Sequence, residues 1–307
     1  MKVKQTIAKP FLKWAGGKGR LIEQLVDFFP PEITTGQLTK YAEPFIGGGA
    51  LYFYVAQHYS QIEKFFISDC NRQLVLTYKT IQQNVDDLVD FLSKLQQKYY
   101  CLDKDEQKNF FYQQRLKFNQ NIAEINLEKL SKLWTEQTGL LLFLNRTCFN
   151  GLFRVNSKGE FNVPFGDYKN PKICDAENLK LVSNLLTRTE IRLGDFTASN
   201  DFIDSATFVY FDPPYRPLNK TSSFNSYAQG DFNDQEQLRL ANYFRELSDK
   251  KAKLMLSNSD PKNVDENDNF FEELYQDFRL ERVSAARMIN SRADKRGKLK
   301  ELLITNY

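Results

Sequence analysis

Histidine is almost missing from the sequence, His58 standing alone, and the four cysteines, Cys70, Cys101, Cys148 and Cys174, are widely spaced with no CxxC pair. That poverty argues against a structural zinc site and against a disulfide framework. Long apolar runs are missing too. Stretches such as Leu140–Leu144 fall far short of the roughly 20 residues that a membrane-spanning helix needs, and the opening MKVKQTIAKP has no apolar core of signal-peptide length. A soluble, cytoplasmic protein without a membrane partner is expected. Charge of one sign is scarce as well, the net of +3 being too small to indicate a polyanionic partner by itself. The surplus is uneven: between Arg282 and Lys300 stand Arg287, Arg292, Lys295, Arg296 and Lys298 against Asp294 alone, which reads as a solvated loop or a phosphate-contacting patch. Core-forming residues, by contrast, are plentiful. Over 307 residues, 41% hydrophobic content suffices for one large domain or a catalytic domain with an insert.

The most informative stretch is Thr207-Phe208-Val209-Tyr210-Phe211 followed by Asp212-Pro213-Pro214-Tyr215. The apolar run reads as a buried strand, which puts a carboxylate at its C-terminal mouth, the edge where open α/β sheets bind ligands. Both prolines lack an N–H and fix φ, so the Asp212 carboxylate and the Pro213 carbonyl are two acceptors on a rigid frame beside the flat ring of Tyr215. Such a frame suits an aromatic amine like N6 of adenine. The blander alternative is a tight turn, since Asp and Pro are ordinary turn residues.

Two further pieces sit upstream. Glu43-Pro44-Phe45-Ile46-Gly47-Gly48-Gly49-Ala50 is a glycine turn between an expected strand (39–45) and an expected helix (49–59), a place where a ligand can approach the backbone and the helix N-terminus. Phe65-Phe66-Ile67-Ser68 reads as the next strand, and Asp69 stands at its end, at about the separation from the glycines expected of a ribose-binding acid. Capping of the following helix is the competing role for Asp69, and the two can coexist. Phe11-Leu12-Lys13-Trp14-Ala15-Gly16-Gly17-Lys18 superficially resembles a phosphate loop, but Leu12 stands where a glycine is needed and Gly19 where a Ser or Thr is needed. ATP is therefore disfavoured. Trp14 and Lys18 can instead supply an aromatic wall and a cation for a ligand carboxylate.

Around these pieces the α/β alternation is interrupted. Residues 71–99 look helical, and 75–144 is Leu-, Gln- and Lys-rich with almost no glycine, which predicts several helices. From 145 to 172 the composition turns to aromatics, asparagine, glycine and scattered base. There Phe153-Arg154-Val155 and Phe161-Asn162-Val163 flank Asn156-Ser157-Lys158-Gly159 and read as a hairpin. Alternation resumes with a helix near 175–187, the 206–211 strand, a helix at 234–248 capped by Asn233 with Glu236 as its reciprocal partner, a strand near 252–257, and two strands (278–285 and 301–306) joined by the basic loop.

In order along the chain, KWAGGK, EPFIGGGALYF, ISDCN, NGLFRVNSKGEFNVPFG and DPPY resemble the Dam-type DNA adenine-N6 methyltransferases, which use S-adenosylmethionine. The similarity runs from Phe11 to the terminal ELLITNY. It implies an α/β, Rossmann-like methyltransferase sheet (1–74 and 175–307) with an inserted helical plus β-hairpin target-recognition domain (75–174). By resemblance Trp14, Lys18, Asp69 and Asp212 contact S-adenosylmethionine, and Phe45, Gly47 and Gly49 belong to the turn beneath its methionine part. Asp195 and Phe196, in Gly194-Asp195-Phe196, match the family's adenine-holding pair, and Asp212, Pro213, Pro214 and Tyr215 carry the methyl transfer, with Tyr215 stacking on a base swung out of the duplex. No metal is implied.

The 145–172 segment is the expected reader of sequence. Arg154 can contact a guanine through two hydrogen bonds, and Asn150 can read an adenine. By resemblance Phe149 wedges into the base stack, with Leu152 and Pro164 adding apolar contacts. Arg146 is the further candidate of this segment, and Arg292, Lys295 and Arg296 are those of the basic loop. Double-stranded DNA is thus the expected partner, GATC the working recognition site, and a monomer the expected state. A cognate restriction endonuclease in the same system remains open. Two alternatives stand beside this reading: a catalytically silent DNA-binding regulator of the same fold, and an amino-methyltransferase acting on cytosine N4 or a protein amide.

Overall fold

The structure, a computed structural model, describes residues 7–216, 232–285 and 299–307. Along the chain the helices are α1 (Ile22–Val26), α2 (Glu32–Thr35), α3 (Ala50–His58), α4 (Arg72–Gln83), α5 (Val85–Tyr100), α6 (Lys104–Asn121), α7 (Lys132–Thr147), α8 (Ala176–Leu186), α9 (Asp234–Asp249) and α10 (Phe270–Leu274). The strands are β1 (Lys40–Glu43), β2 (Lys64–Asp69), β3 (Thr189–Leu193), β4 (Thr207–Phe211), β5 (Lys253–Ser259), β6 (Arg279–Ala285) and β7 (Leu299–Thr305). They form two compact units, one made of residues 1–17, 47–57 and 69–193, the other of 18–46, 58–68 and 194–307.

The second unit carries most of a seven-stranded sheet, in the order β2-β1-β4-β5-β7-β6. β1 pairs in parallel with both β2 and β4, and β4 with β5, whereas β7 is antiparallel to both β5 and β6. This is the mixed α/β, Rossmann-like sheet that the sequence resemblance implies. Every residue of β4 is buried, as are Tyr41 and Ala42 of β1, which is why these strands read as unbroken apolar runs. On one side the Leu240, Phe244 and Leu247 stripe of α9 packs with Val209, Phe211, Leu254 and Leu256. The Asn233 side chain accepts from the backbone N–H groups of Gln235 and Glu236 and caps α9. The reciprocal arm expected of Glu236 is diverted, because its carboxylate pairs with Arg239 one turn on.

The first unit is mainly helical. The helix expected over 71–99 is two helices: Asn84 leaves the helical region (φ −149°, ψ 45°) and its side-chain amide donates to Thr135. Asp86 and Asp87 then sit in the first turn of α5, where acidic side chains suit a helix N-terminus. α5 and α7 approach closely at Gly139, where a β-carbon would lie 2.2 Å from the Phe91 ring. α6 opens on a complete capping box between Asp103 and Glu106.

The expected hairpin is present only in outline. Val155 and Phe161 form a single antiparallel bridge around the Gly159 turn, and Cys148 and Phe165 form another. A continuous ladder fails because other partners take the backbone groups. Asn119 of α6 accepts from the Phe161 N–H at 2.8 Å and donates to its carbonyl at 3.2 Å, Arg115 donates to the Val163 carbonyl, and Pro164 has no N–H. The segment is thus stitched to a helix as well as to itself, where the Asn162 N–H still donates to the Arg154 carbonyl at 3.1 Å and the Asn156 N–H to the Glu160 carbonyl at 2.9 Å.

Candidate active site

In the second unit β1 and β4 are adjacent and parallel, so the segments that leave their C-terminal ends emerge at one edge, where strand order changes direction. Asp212 follows β4 directly, and Lys18 lies 3.1 Å from its Oδ1. The ammonium also stands 3.4 Å from Oε2 of Glu301 on β7 and donates to the Tyr215 hydroxyl, which in turn donates to Glu301 at 2.7 Å. Lys18 is only 7% exposed, so its charge is held by these partners and not by water. Burial pushes the Asp212 carboxyl up to about 6; Lys18 pulls against that shift and Glu301 adds to it. Beneath, the buried Tyr210 hydroxyl pairs with Ser257 and the Tyr41 hydroxyl donates to Glu43, and burial keeps both phenols protonated.

The loop after Asp212 is braced by two fully buried amides that carried no assignment from the sequence. Gln237 of α9 donates to the Pro214 carbonyl at 3.2 Å and accepts from Asn258 of β5 at 3.2 Å, while Asn258 accepts from the Arg216 N–H at 3.3 Å. Arg216 is then clamped by Asp234 and Asp268. Among the described residues none donates to the Pro213 carbonyl, which is left as an acceptor. A polar residue such as Gln237 on the apolar α9 stripe was the one signal that could have drawn attention to this brace.

Phe45 and Phe196 pack together in the same unit, their ring centroids 5.7 Å apart. Asp195 accepts from the Thr197 N–H and hydroxyl, caps the short turn Phe196–Ser199, and pairs with Arg239 at 2.8 Å. Burial raises its carboxyl, but the Thr197 and Arg239 bonds outweigh it and the net shift is downward. Phe196 is 1% exposed beneath the Arg239 guanidinium, so its faces are already covered.

In the first unit Trp14, the glycine turn and Asp69 come together. Gly47 (φ 47°) and Gly49 (φ 70°) adopt left-handed backbone, and a β-carbon on Gly47 would lie 3.2 Å from the Trp14 ring. Asp69 accepts from the Gly47 N–H at 3.2 Å and the Asn71 N–H at 2.8 Å, and Tyr78 donates to the Gly47 carbonyl. Asn71, not Asp69, is the side chain that caps α4. Burial raises the Asp69 carboxyl against those backbone bonds. A third backbone N–H, that of Cys70, also bonds to this carboxylate, and with about four lone-pair sites a carboxylate holding three backbone donors keeps room for a ligand hydroxyl. Trp14 also stacks on Phe153, centroids 5.1 Å apart.

The DNA candidates of that unit fall into two groups. Phe149 and Leu152 are exposed large apolar side chains, at 53% and 42%, and Asn150, Arg154 and Pro164 are exposed beside them. Asn150 adopts positive φ (57°). The Arg154 Nε donates to Asn162, which fixes the guanidinium plane. Arg146 differs: it is half-buried and donates to the Phe11 carbonyl, a tie to the N-terminal segment. Arg292, Lys295 and Arg296 lie outside the described residues.

Residues 14–289 match the model of the D12 class N6 adenine-specific DNA methyltransferases. The chain belongs to this family. It is 50% identical over 97% of its length, and 99% of the relative, to "Type II methyltransferase M.MjaIII" of Methanocaldococcus jannaschii. Its identity to "Type II methyltransferase M1.LlaDCHI" of Lactococcus lactis subsp. cremoris is 36%, covering 97% of this chain and 95% of that one. "DNA adenine methylase" of Haemophilus influenzae is 31% identical over 96% of this chain and 92% of its own. The D12 class enzyme is an adenine-N6 DNA methyltransferase, and the family implies S-adenosylmethionine as methyl donor. The match favours adenine over the cytosine and protein-amide alternatives. No described helix is long and apolar enough to cross a membrane.

Proposed function

We propose that this D12 class enzyme methylates N6 of an adenine extruded from duplex DNA, within GATC. The observation that carries the chemistry is the largely buried Asp212 carboxylate at the β4 edge, paired with Lys18, beside a Pro213 carbonyl that no described residue engages. S-adenosylmethionine supplies, when bound, a methyl group activated by a sulfonium. Its holders in this proposal are the residues the resemblance assigns: Trp14, Lys18, Phe45, Gly47, Gly49, Asp69 and Asp212. Residues 75–174 serve target recognition.

The N6 lone pair of adenine is delocalised into the ring, so the chain must make it available. Asp212 and the Pro213 carbonyl accept the two amino hydrogens and favour a pyramidal nitrogen whose lone pair points away from both. As the N–C bond forms and the S–C bond breaks, the nitrogen becomes cationic, and its proton passes to Asp212 and then to solvent. Tyr215 offers the extruded ring a stacking face. Phe196 backs this wall through Phe45, and Asp195, tied to Arg239, holds the turn before it.

Exposed Phe149 and Leu152 suit a wedge into the stack, and the preset Arg154 suits O6 and N7 of a guanine. Arg154→Ala is expected to relax discrimination at one guanine by about 1–3 kcal/mol, measured as kcat/KM ratios on single-substituted duplexes. An equal loss on every sequence would make Arg154 a phosphate contact. The function as a whole is tested by mapping methylated bases on DNA exposed to the protein and S-adenosylmethionine. Marks at N6 of adenine in GATC are expected, and equal methylation of GATC-free DNA would reject the site. The names of two relatives favour a Type II system, hence a cognate restriction endonuclease as partner.

A further inference from the structure

Within the cluster at the β4 edge, one carboxylate has no role in the proposed chemistry. Glu301 sits on β7 between Ser259 of β5 and Val283 of β6, so its backbone is paired on both sides. Its Oε2 accepts the Tyr215 hydroxyl hydrogen at 2.7 Å and lies 3.4 Å from Lys18 Nζ, while Lys18 reaches Asp212 at 3.1 Å. One ammonium therefore serves two carboxylates. The phenol is also held at both ends of its chemistry, accepting from Lys18 and donating to Glu301. A phenol has a single hydrogen to give, so this pairing sets the direction of the hydroxyl and, through it, the ring.

Resting on the function proposed above, we infer that Glu301 is a positioning residue for the methyl transfer. It fixes the Tyr215 ring for stacking and draws Lys18 partly away from Asp212, leaving the Asp212 lone pairs open to the N6 hydrogens. Without Glu301 the ammonium would turn wholly to Asp212 and compete with the substrate amine.

The titratable and charged groups facing Asp212 are Lys18, Tyr41 on β1, Tyr210 on β4, Tyr215, and Glu301 on β7, with Glu43 of β1 reaching Tyr41 and Tyr210 instead. Burial raises the Asp212 carboxyl, Lys18 lowers it and Glu301 raises it. Loss of the Glu301 charge therefore moves the acid limb of the methylation rate to lower pH, a readout that a purely structural role would leave in place.

The test uses the full chain with a GATC duplex, comparing wild type, Glu301→Gln, Glu301→Ala and Asp212→Asn. Single-turnover rate against pH, calorimetric S-adenosylmethionine affinity and thermal melting are measured for each. Glu301→Gln keeps an acceptor for the phenol and is expected to lower the rate about tenfold at neutral pH, with the acid limb moved down and cofactor affinity within threefold of wild type. Glu301→Ala, which loses both contacts, is expected to fall further, about 100-fold. A wild-type rate and acid limb in folded Glu301→Gln would overturn the inference, as would rate losses in both variants that follow melting temperature alone. A wild-type rate in Asp212→Asn would instead overturn the site reading on which the inference rests.

Discussion

Asp212→Ala is expected to lower the single-turnover methylation rate by roughly two to four orders of magnitude, the scale of a lost proton acceptor and transition-state hydrogen-bond partner. Duplex affinity should change little, because the proposed grip on the duplex lies in the 145–172 segment. The expected effect is large because the proposed acceptor is a largely buried carboxylate whose proton is lost only near pH 6, with burial as the main cause. In the wild-type enzyme the rate should accordingly fall as pH drops through about 6, and the variant should lack that limb. Stability carries the opposite sign. The folded carboxyl titrates near 6 and the unfolded one near 3.8, so protonation favours the fold. The cost of keeping Asp212 charged is fully present above pH 6 and disappears as pH falls below 3.8. Melting temperatures of wild type and Asp212→Asn across that window check the sign, and a near-normal rate in Asp212→Ala would refute the role.

Asp69→Ala should weaken S-adenosylmethionine binding by about 100-fold, the scale of losing a hydrogen bond from a hydroxyl to a charged acceptor. The carboxylate also holds the Gly47 N–H, so its removal loosens the turn beneath the cofactor. Titration calorimetry with the cofactor alone measures this. Affinity within threefold of wild type would show that Asp69 only pins the turn.

The strands and their acidic ends were legible because central parallel strands are buried on both faces, so apolar runs such as Phe65–Ile67 and Thr207–Phe211 stop where the chain leaves the sheet. The break at Asn84 was not legible, since it depends on an amide reaching Thr135 in a distant helix. The missing ladder at 153–163 likewise depends on Asn119 and Arg115, far from the segment in sequence. KWAGGK and DPPY each pointed to a candidate site residue, and the structure brings Lys18 and Asp212 together, but nothing local announced that Lys18 is shared with Glu301 on β7. The brace of Gln237 and Asn258 is of the same kind: two amides become buried only after a helix and a strand converge.

The indole of Trp14 has the Gly47 turn on one side and Phe153 of the 145–172 segment on the other. In the function proposed above, a shift of that ring would be felt at both places, which would link cofactor occupancy of the turn to the order of the 145–172 segment. Linkage of this kind is reciprocal. Whatever factor the methyl donor contributes to the grip on DNA, DNA must return to the grip on the donor, and the spent cofactor, lacking the sulfonium charge, changes both constants together.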